Sequence, residues 1–320
     1  MNKDVEKSRL RISRRRALAV GGTVSLGGLI AACTGNGSST SASATSATST
    51  AAASSAATTS ADTVSALLDQ APRCVLAVEE TQGPYWLDVD SIRSDIREDR
   101  PGTNLQLALR VQDLTNCSAD GSAAVVSNAV VEIWHCDAGG VYSGFESGSK
   151  AADLSGNGAP AGAPPVGGPG GGRPPAGGPG AGGPGGDMSG GSGETSDGSY
   201  SVGDSEAATT DDGTYLRGAQ TTDANGVAQF TTIFPGWYIS RTTHIHLKVH
   251  IDKKTVLTTQ LFFDEALLDE VYAIAPYSDH TGRENNVNNS TDSIYDDAGL
   301  LTVAKQSDGY LAAINLGIDV

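Results

Sequence analysis

The sequence predicts a mainly β protein, an antiparallel β-sandwich core with short helices and a long disordered Gly/Pro-rich insertion. Three observations carry that expectation. Leu105, Leu107, Leu109 and Val111 alternate with Gln106, Ala108, Arg110 and Gln112, the period-two pattern of a half-buried strand. Val130 to Trp134 is a short β-branched run that stops at Asp137-Ala138-Gly139-Gly140, a turn sequence. Asn225-Gly226 stands before Val227-Ala228-Gln229-Phe230, the arrangement of a hairpin. Residues 243–251 and 256–263 supply further strands. Helix is expected only in short pieces, at 62–70 and 265–273. Short strands with frequent turns suggest a sandwich or barrel.

The first sixty residues carry a different message. Lys3, Lys7, Arg9, Arg11, Arg14, Arg15 and Arg16 outnumber Asp4 and Glu6, and residues 17–32 are uncharged. A basic segment, a short apolar segment and small residues before a cut site make an export signal over 1–33. The apolar part is shorter than the roughly 20 residues of a spanning helix. Ser13-Arg14-Arg15-Arg16 resembles a twin-arginine signal, the route of proteins exported already folded. Ile30-Ala31-Ala32-Cys33 resembles a lipobox, which would make Cys33 a lipidated N-terminus and tether an extracytoplasmic protein to the membrane. An ordinary signal peptide followed by an unrelated Cys is the alternative.

Cleavage before Cys33 takes the formal charge from −16 to −21. So acidic a surface repels phosphate backbones, which argues against nucleic acid as a partner. Residues 34–62 are almost wholly Ser, Thr, Ala and Gly, a flexible linker. Residues 154–196 are dominated by Gly and Pro without the strict triplet period of collagen, and read as a disordered insertion. The remainder of 63–320, about 210 residues, is enough for one well-buried domain. It holds Cys74, Cys117 and Cys136, so outside the cytoplasm one disulfide and one leftover thiol are expected, with the pairing open.

The chemistry concentrates in Phe234-Pro235-Gly236-Trp237-Tyr238-Ile239-Ser240-Arg241-Thr242-Thr243-His244-Ile245-His246-Leu247. On a strand, His244 and His246 project from one face, about 7 Å apart, and can converge on a metal ion. Ile245, Leu247, Val249 and Ile251 form the opposite, apolar face. His250, about 13 Å beyond His246, is expected at the rim rather than as a third ligand. Tyr238 sharpens the metal's identity. A phenol near pKa ~10 ligates only when a strong Lewis acid displaces its proton, so mixed Tyr/His donors point to Fe(III) over zinc or copper.

These residues resemble the ligand motif of the intradiol ring-cleavage dioxygenases: a Tyr after Pro-Gly, an Arg three residues on, then His-x-His. Trp134-His135-Cys136-Asp137-Ala138-Gly139-Gly140-Val141-Tyr142 is similar to the family's Trp-x-x-x-Ala-x-Gly-x-Tyr segment. Glu80-Thr81-Gln82-Gly83-Pro84-Tyr85 is similar to its Gly-Pro-aromatic entry segment, and Tyr215-Leu216-Arg217-Gly218 to a connecting hairpin. The likeness runs in order from about Cys74 to about Asp292. It implies Fe(III) held by Tyr142, Tyr238, His244 and His246, with Tyr238 the phenolate that leaves when a catechol chelates and then helps to take its proton. It also implies that Arg241 stabilises charge on the substrate ring and that Tyr85 lines the pocket. Substrates would be a catechol-type molecule and dioxygen, and the product a muconate-type dicarboxylic acid.

The likeness has gaps. The long helical N-terminal region of the cytoplasmic catechol enzymes is missing, so their dimer is not implied and the oligomeric state stays open. His135-Cys136-Asp137 differs from the protocatechuate enzymes, so their substrate preference is not implied either. Two other readings remain: an extracytoplasmic ferric-iron-binding protein without ring-cleavage activity, and a surface β-sandwich whose site has decayed.

Overall fold

The computed structural model describes residues 61–115, 117–118, 121–147, 149 and 191–320. The export signal with Cys33, the linker up to residue 60 and insertion residues 154–190 lie outside the described residues. The chain begins with helix α1 (Ala61–Gln70) and strands β1 (Asn104–Asp113), β2 (Ala124–Val125) and β3 (Val130–Trp134). It continues through β4 (Gly191–Asp197), β5 (Val202–Ala207), β6 (Arg217–Thr221), β7 (Val227–Ile233), β8 (His244–Ile251) and β9 (Lys254–Phe262). Helix α2 (Glu265–Tyr272), three single 3-10 turns and strands β10 (Thr302–Gln306) and β11 (Gly309–Ile318) complete it.

Two sheets enclose the core. In one, β10, β11 and β1 lie side by side, and β7 and β2 follow end to end along the other edge of β1. The second runs β6-β3-β8-β9. Leu105, Leu107, Leu109 and Val111 of β1 meet Val131 and Ile133 of β3 and Ile245, Leu247 and Val249 of β8 in one buried cluster. The mainly β sandwich is therefore as the alternation predicts, with one exception to its antiparallel pairing. β1 pairs with β11 in parallel, from Leu105 opposite Tyr310 to Asp113 opposite Ile318.

Three local expectations are corrected. Ala108 is buried although it lies on the polar face of β1, because Val64, Leu67 and Leu68 of α1 cover it together with Leu311 and Ala313. The Asn225-Gly226 turn forms, with Asp223 Oδ1 accepting from the Asn225 and Val227 amides. Its flanking strands do not pair as a hairpin, since β6 joins β3 and β7 joins β1. The turn instead carries the chain from one sheet to the other. Residues 191–196, inside the stretch expected to be disordered, belong to β4, which pairs antiparallel with β5. Ladder hydrogen bonds use only backbone groups, so a Gly/Ser-rich composition does not forbid them.

Helix α2 starts where expected, and its first turn is capped by Asp264, which accepts from the Ala266 amide at 2.9 Å. Cys74 pairs with Cys117 and leaves Cys136 as a buried free thiol.

Candidate metal centre

Strand β8 sets the geometry. Its odd residues fill the core, so the even ones, His244, His246, Lys248 and His250, share the other face, and all four are buried. His244 Nδ1 lies 2.7 Å from the Thr242 carbonyl, which can only accept, so this nitrogen carries the proton. That leaves the lone pair on Nε2, which lies 3.2 Å from His246 Nε2 and 3.0 Å from Tyr238 Oη. Three donor atoms thus converge on one point, as the period-two reading of His-x-His requires.

Tyr238 and Tyr142 reach this point from separate loops that touch. Gly236 donates its amide to the Asp137 carbonyl at 3.0 Å. A Cβ on Gly236 would stand 2.5 Å from the carbonyl oxygens of Asp137 and Ala138, so only glycine admits this approach. The two turn segments are thereby locked together. Tyr142 is fully buried, with its ring centroid 5.8 Å from that of Tyr238 and 6.1 Å from His246. Its Oη makes no hydrogen bond of ordinary geometry, although the Tyr238 phenol lies near enough to act on it. A buried hydroxyl without a partner costs about 1–3 kcal/mol, so this atom calls for a guest.

Burial decides the protonation states of the cluster. It raises the pKa of Tyr142 well above the ordinary phenol value, and Tyr238 beside it helps to do so. Tyr238 is raised by burial too, although Arg241 opposes the shift. His244 and His246 are lowered well below the ordinary imidazole value, first by burial and then by Arg241. The imidazoles therefore keep their lone pairs, and the phenols keep their protons until a Lewis acid displaces them. Among the described residues no group of three or more His, Cys, Asp or Glu is arranged to hold a metal. Any metal at this point is held with the help of the two phenols, and the two nitrogens and two oxygens fit such an ion.

The walls are aromatic and cationic. Trp134 stacks on His246 with ring centroids 5.0 Å apart and planes 4° apart. Tyr85 packs on Tyr142 at 4.7 Å, so the entry segment reaches the cluster. Gly83, in the left-handed region at φ 70°, lies so close that a Cβ would stand 3.1 Å from His246 Cε1. Arg241 Nε meets Asp292 Oδ2 at 2.9 Å and its Nη2 meets Gln260 Oε1 at 2.6 Å, which fixes the guanidinium plane. All of Tyr85, Tyr142, Tyr238, Arg241, His244 and His246 thus gather in one place. Sequence reasoning did not single out Gln260. Only strand pairing, which sets Gln260 opposite His246, brings it here.

His250 is not at the rim. Its Nε2 lies 3.2 Å from Glu132 Oε2, and its Nδ1 lies 3.0 Å from Thr255 Oγ1. Trp86 Nε1 also donates to Glu132 Oε2, at 3.1 Å. Lys248 Nζ binds Asp204 Oδ2 at 2.6 Å and sits 3.5 Å from the Trp86 ring centroid. Strand β5 supplies Asp204, and so covers a stretch of β8 that its own sequence leaves looking open.

The fold and site first define a class: a β-sandwich that brings two phenols and two imidazoles to one buried point. Solved structures then place the likeness. The chain is similar to an intradiol ring-cleavage dioxygenase from Tetranychus urticae, at 26% identity over 77% of this chain and 95% of that one, with a TM-score of 0.54. A second dioxygenase structure matches at 26% identity, again over 77% and 95%, with a TM-score of 0.55. No family model and no curated protein sequence matches. The resemblance seen in the motifs is thus a resemblance of the whole folded region to intradiol ring-cleavage dioxygenases.

Proposed function

We propose that this chain is an Fe(III)-dependent dioxygenase that opens a catechol-type ring between its two hydroxylated carbons and yields a muconate-type dicarboxylic acid. The observation that carries this reading is the unpartnered Tyr142 Oη beside the converging Nε2 atoms of His244 and His246. When bound, a ferric ion would supply Lewis acidity, drawing electron density from a chelated catecholate and making a ring carbon reactive toward dioxygen.

The chain's own groups do the rest. Tyr142, His244 and His246 would hold the ion from buried positions. Tyr238, less buried and bonded to His244 Nε2, would be the phenol placed to accept a catechol hydroxyl proton at Oη. Arg241, held flat by Asp292 and Gln260, presents a permanent positive charge to the electron-rich ring. Tyr85 and Trp134 pack the aromatic wall and keep bulk water from the reacting carbons.

The test is a visible spectrum and oxygen uptake of the iron-loaded protein with a panel of catechols. A red-brown band that moves to longer wavelength on anaerobic catechol addition, followed by oxygen consumption and a diacid product, is expected. A fully loaded but colourless protein, or one that consumes no oxygen with any catechol, would end the reading.

We also propose that the enzyme works outside the cytoplasm, tethered by a lipid on Cys33. The basic segment, the apolar segment and Ile30-Ala31-Ala32-Cys33 support this. Among the described residues no helix is long and apolar enough to cross a membrane. Cys33→Ser should release the protein from the membrane fraction, and retention there would refute the lipid.

A further inference from the structure

The turn that carries both Tyr238 and Arg241 is gripped by a side chain far along the sequence. Asn286 Oδ1 accepts from the Ser240 amide at 2.9 Å, while its Nδ2 donates to the carbonyls of Tyr238 and Arg241, each at 2.9 Å. Both amide protons and the amide oxygen of Asn286 are therefore committed to one four-residue turn. Within it Ser240 sits at φ 70°, a left-handed conformation that a residue with a Cβ disfavours. Three hydrogen bonds from one planar group offset that preference and define where Tyr238 leaves the backbone.

Arg241 does not depend on this grip alone. Its guanidinium has Asp292 and Gln260, and Asp292 Oδ2 also accepts from the Thr242 amide at 2.7 Å. Tyr238 has no such second anchor; its phenol bonds to His244 Nε2, a member of the donor cluster itself. We infer that Asn286 is a positioning residue for Tyr238, holding the backbone still so that the phenol can leave the donor cluster and return to the same place. This rests on the reading of Tyr238 and Arg241 given above. The side chain acts through the turn and touches no reacting atom.

The discriminating variant is Asn286→Asp, which keeps the shape and the acceptor but sets a carboxylate oxygen against two carbonyls. Asn286→Ala removes the group altogether. A packing role makes the isosteric Asp variant the milder one, whereas a donor role makes it at least as damaging. In the full-length metal-free protein, hydrogen exchange of the Ser240 amide should accelerate about ten-fold or more in either variant, while amides of β8 stay protected. In the iron-loaded protein kcat should fall about ten-fold or more with KM for catechol within about three-fold, and the phenolate band should shift.

Unchanged exchange at Ser240, or full turnover with an unshifted band in Asn286→Asp, overturns the inference. Should Asn286→Asp not fold, Asn286→Ala carries the same readouts. A wild-type protein that opens no catechol defeats the functional reading alone. The exchange measurement then decides the positioning role by itself.

Discussion

Two buried polar clusters share one face of β8, and they are closed in different ways. Around Lys248 and His250 the groups are paired within the protein, Glu132 with Trp86 and His250 and Asp204 with Lys248 and Thr255, and the unpartnered oxygen belongs to Asp88 at the cluster's edge. Around His244 and His246 the accounts do not balance. Tyr142 Oη has no partner, His246 Nδ1 has none, and two imidazole nitrogens face each other. The first cluster is held by these pairs and ties β5 to the sheet. In the second, lone-pair donors from separate segments face one another at a single point. What separates the two is thus the convergence of donor atoms, since burial is nearly the same in both.

The comparison can be broken most decisively at the unsatisfied cluster. Tyr142→Phe or His246→Ala should weaken and shift the red-brown band and lower ring cleavage about a thousand-fold or more, because a ligand carries several kcal/mol of charge stabilisation. Thermal unfolding of the metal-free Tyr142→Phe protein should change little or improve, since an orphaned hydroxyl is removed. An unchanged band and turnover would erase the distinction between the clusters.

Next in size is the satisfied cluster. Glu132→Ala strips partners from Trp86 and His250 and should lower stability by about 3 kcal/mol, as truncating one member of a buried charge-assisted network does. Iron bound per folded molecule should remain the same, and a parallel loss of iron would show the two clusters to be one. A third measurement concerns His135, which belongs to neither cluster. Its nitrogens lie 2.8 Å from the Cys136 carbonyl and 2.7 Å from Thr232 Oγ1. Burial lowers its pKa from 6.5 to about 4. The unfolded chain therefore binds the proton first, and the stability this residue lends is lost as pH falls from about 6.5 toward 4. Between pH 7 and 5 the loss should be about 2 kcal/mol, read as the difference in denaturant unfolding between wild type and His135→Gln. The difference is needed because burial raises Glu80 to about 8 and Asp88 to about 6, which stabilises the fold as pH falls through those values.

The smallest expected effect is that of Gly83→Ala. It should cost about 1 kcal/mol for the left-handed backbone and weaken iron binding a few-fold by pressing on His246. The Glu132 cluster should not feel it. A chelator titration of the two proteins checks the point.

Local patterns in the sequence were read well where a period or a turn residue speaks for itself. The alternation of Ile245, Leu247 and Val249 with the histidines assigned both faces of β8, and Tyr238 beside Pro-Gly marked the donor loop. What escaped was whatever depends on a distant chain segment. His250 looked like a rim residue because nothing nearby announces that Glu132 and Tyr200 enclose it. Asn225-Gly226 made its turn, but which strand each arm would join was decided by β1 and β3, far upstream in the chain. Asn286 carries no motif at all; its role exists only through the carbonyls it meets.

Strand β11 lies in parallel beside β1, at the middle of its sheet rather than at an edge. A ribosome must therefore have made residue 318 before the first long strand can find its central neighbour, so the sandwich cannot close progressively as the chain emerges. A chain cut short before Gly309 would leave the β11 side of β1 open to other molecules and should clump.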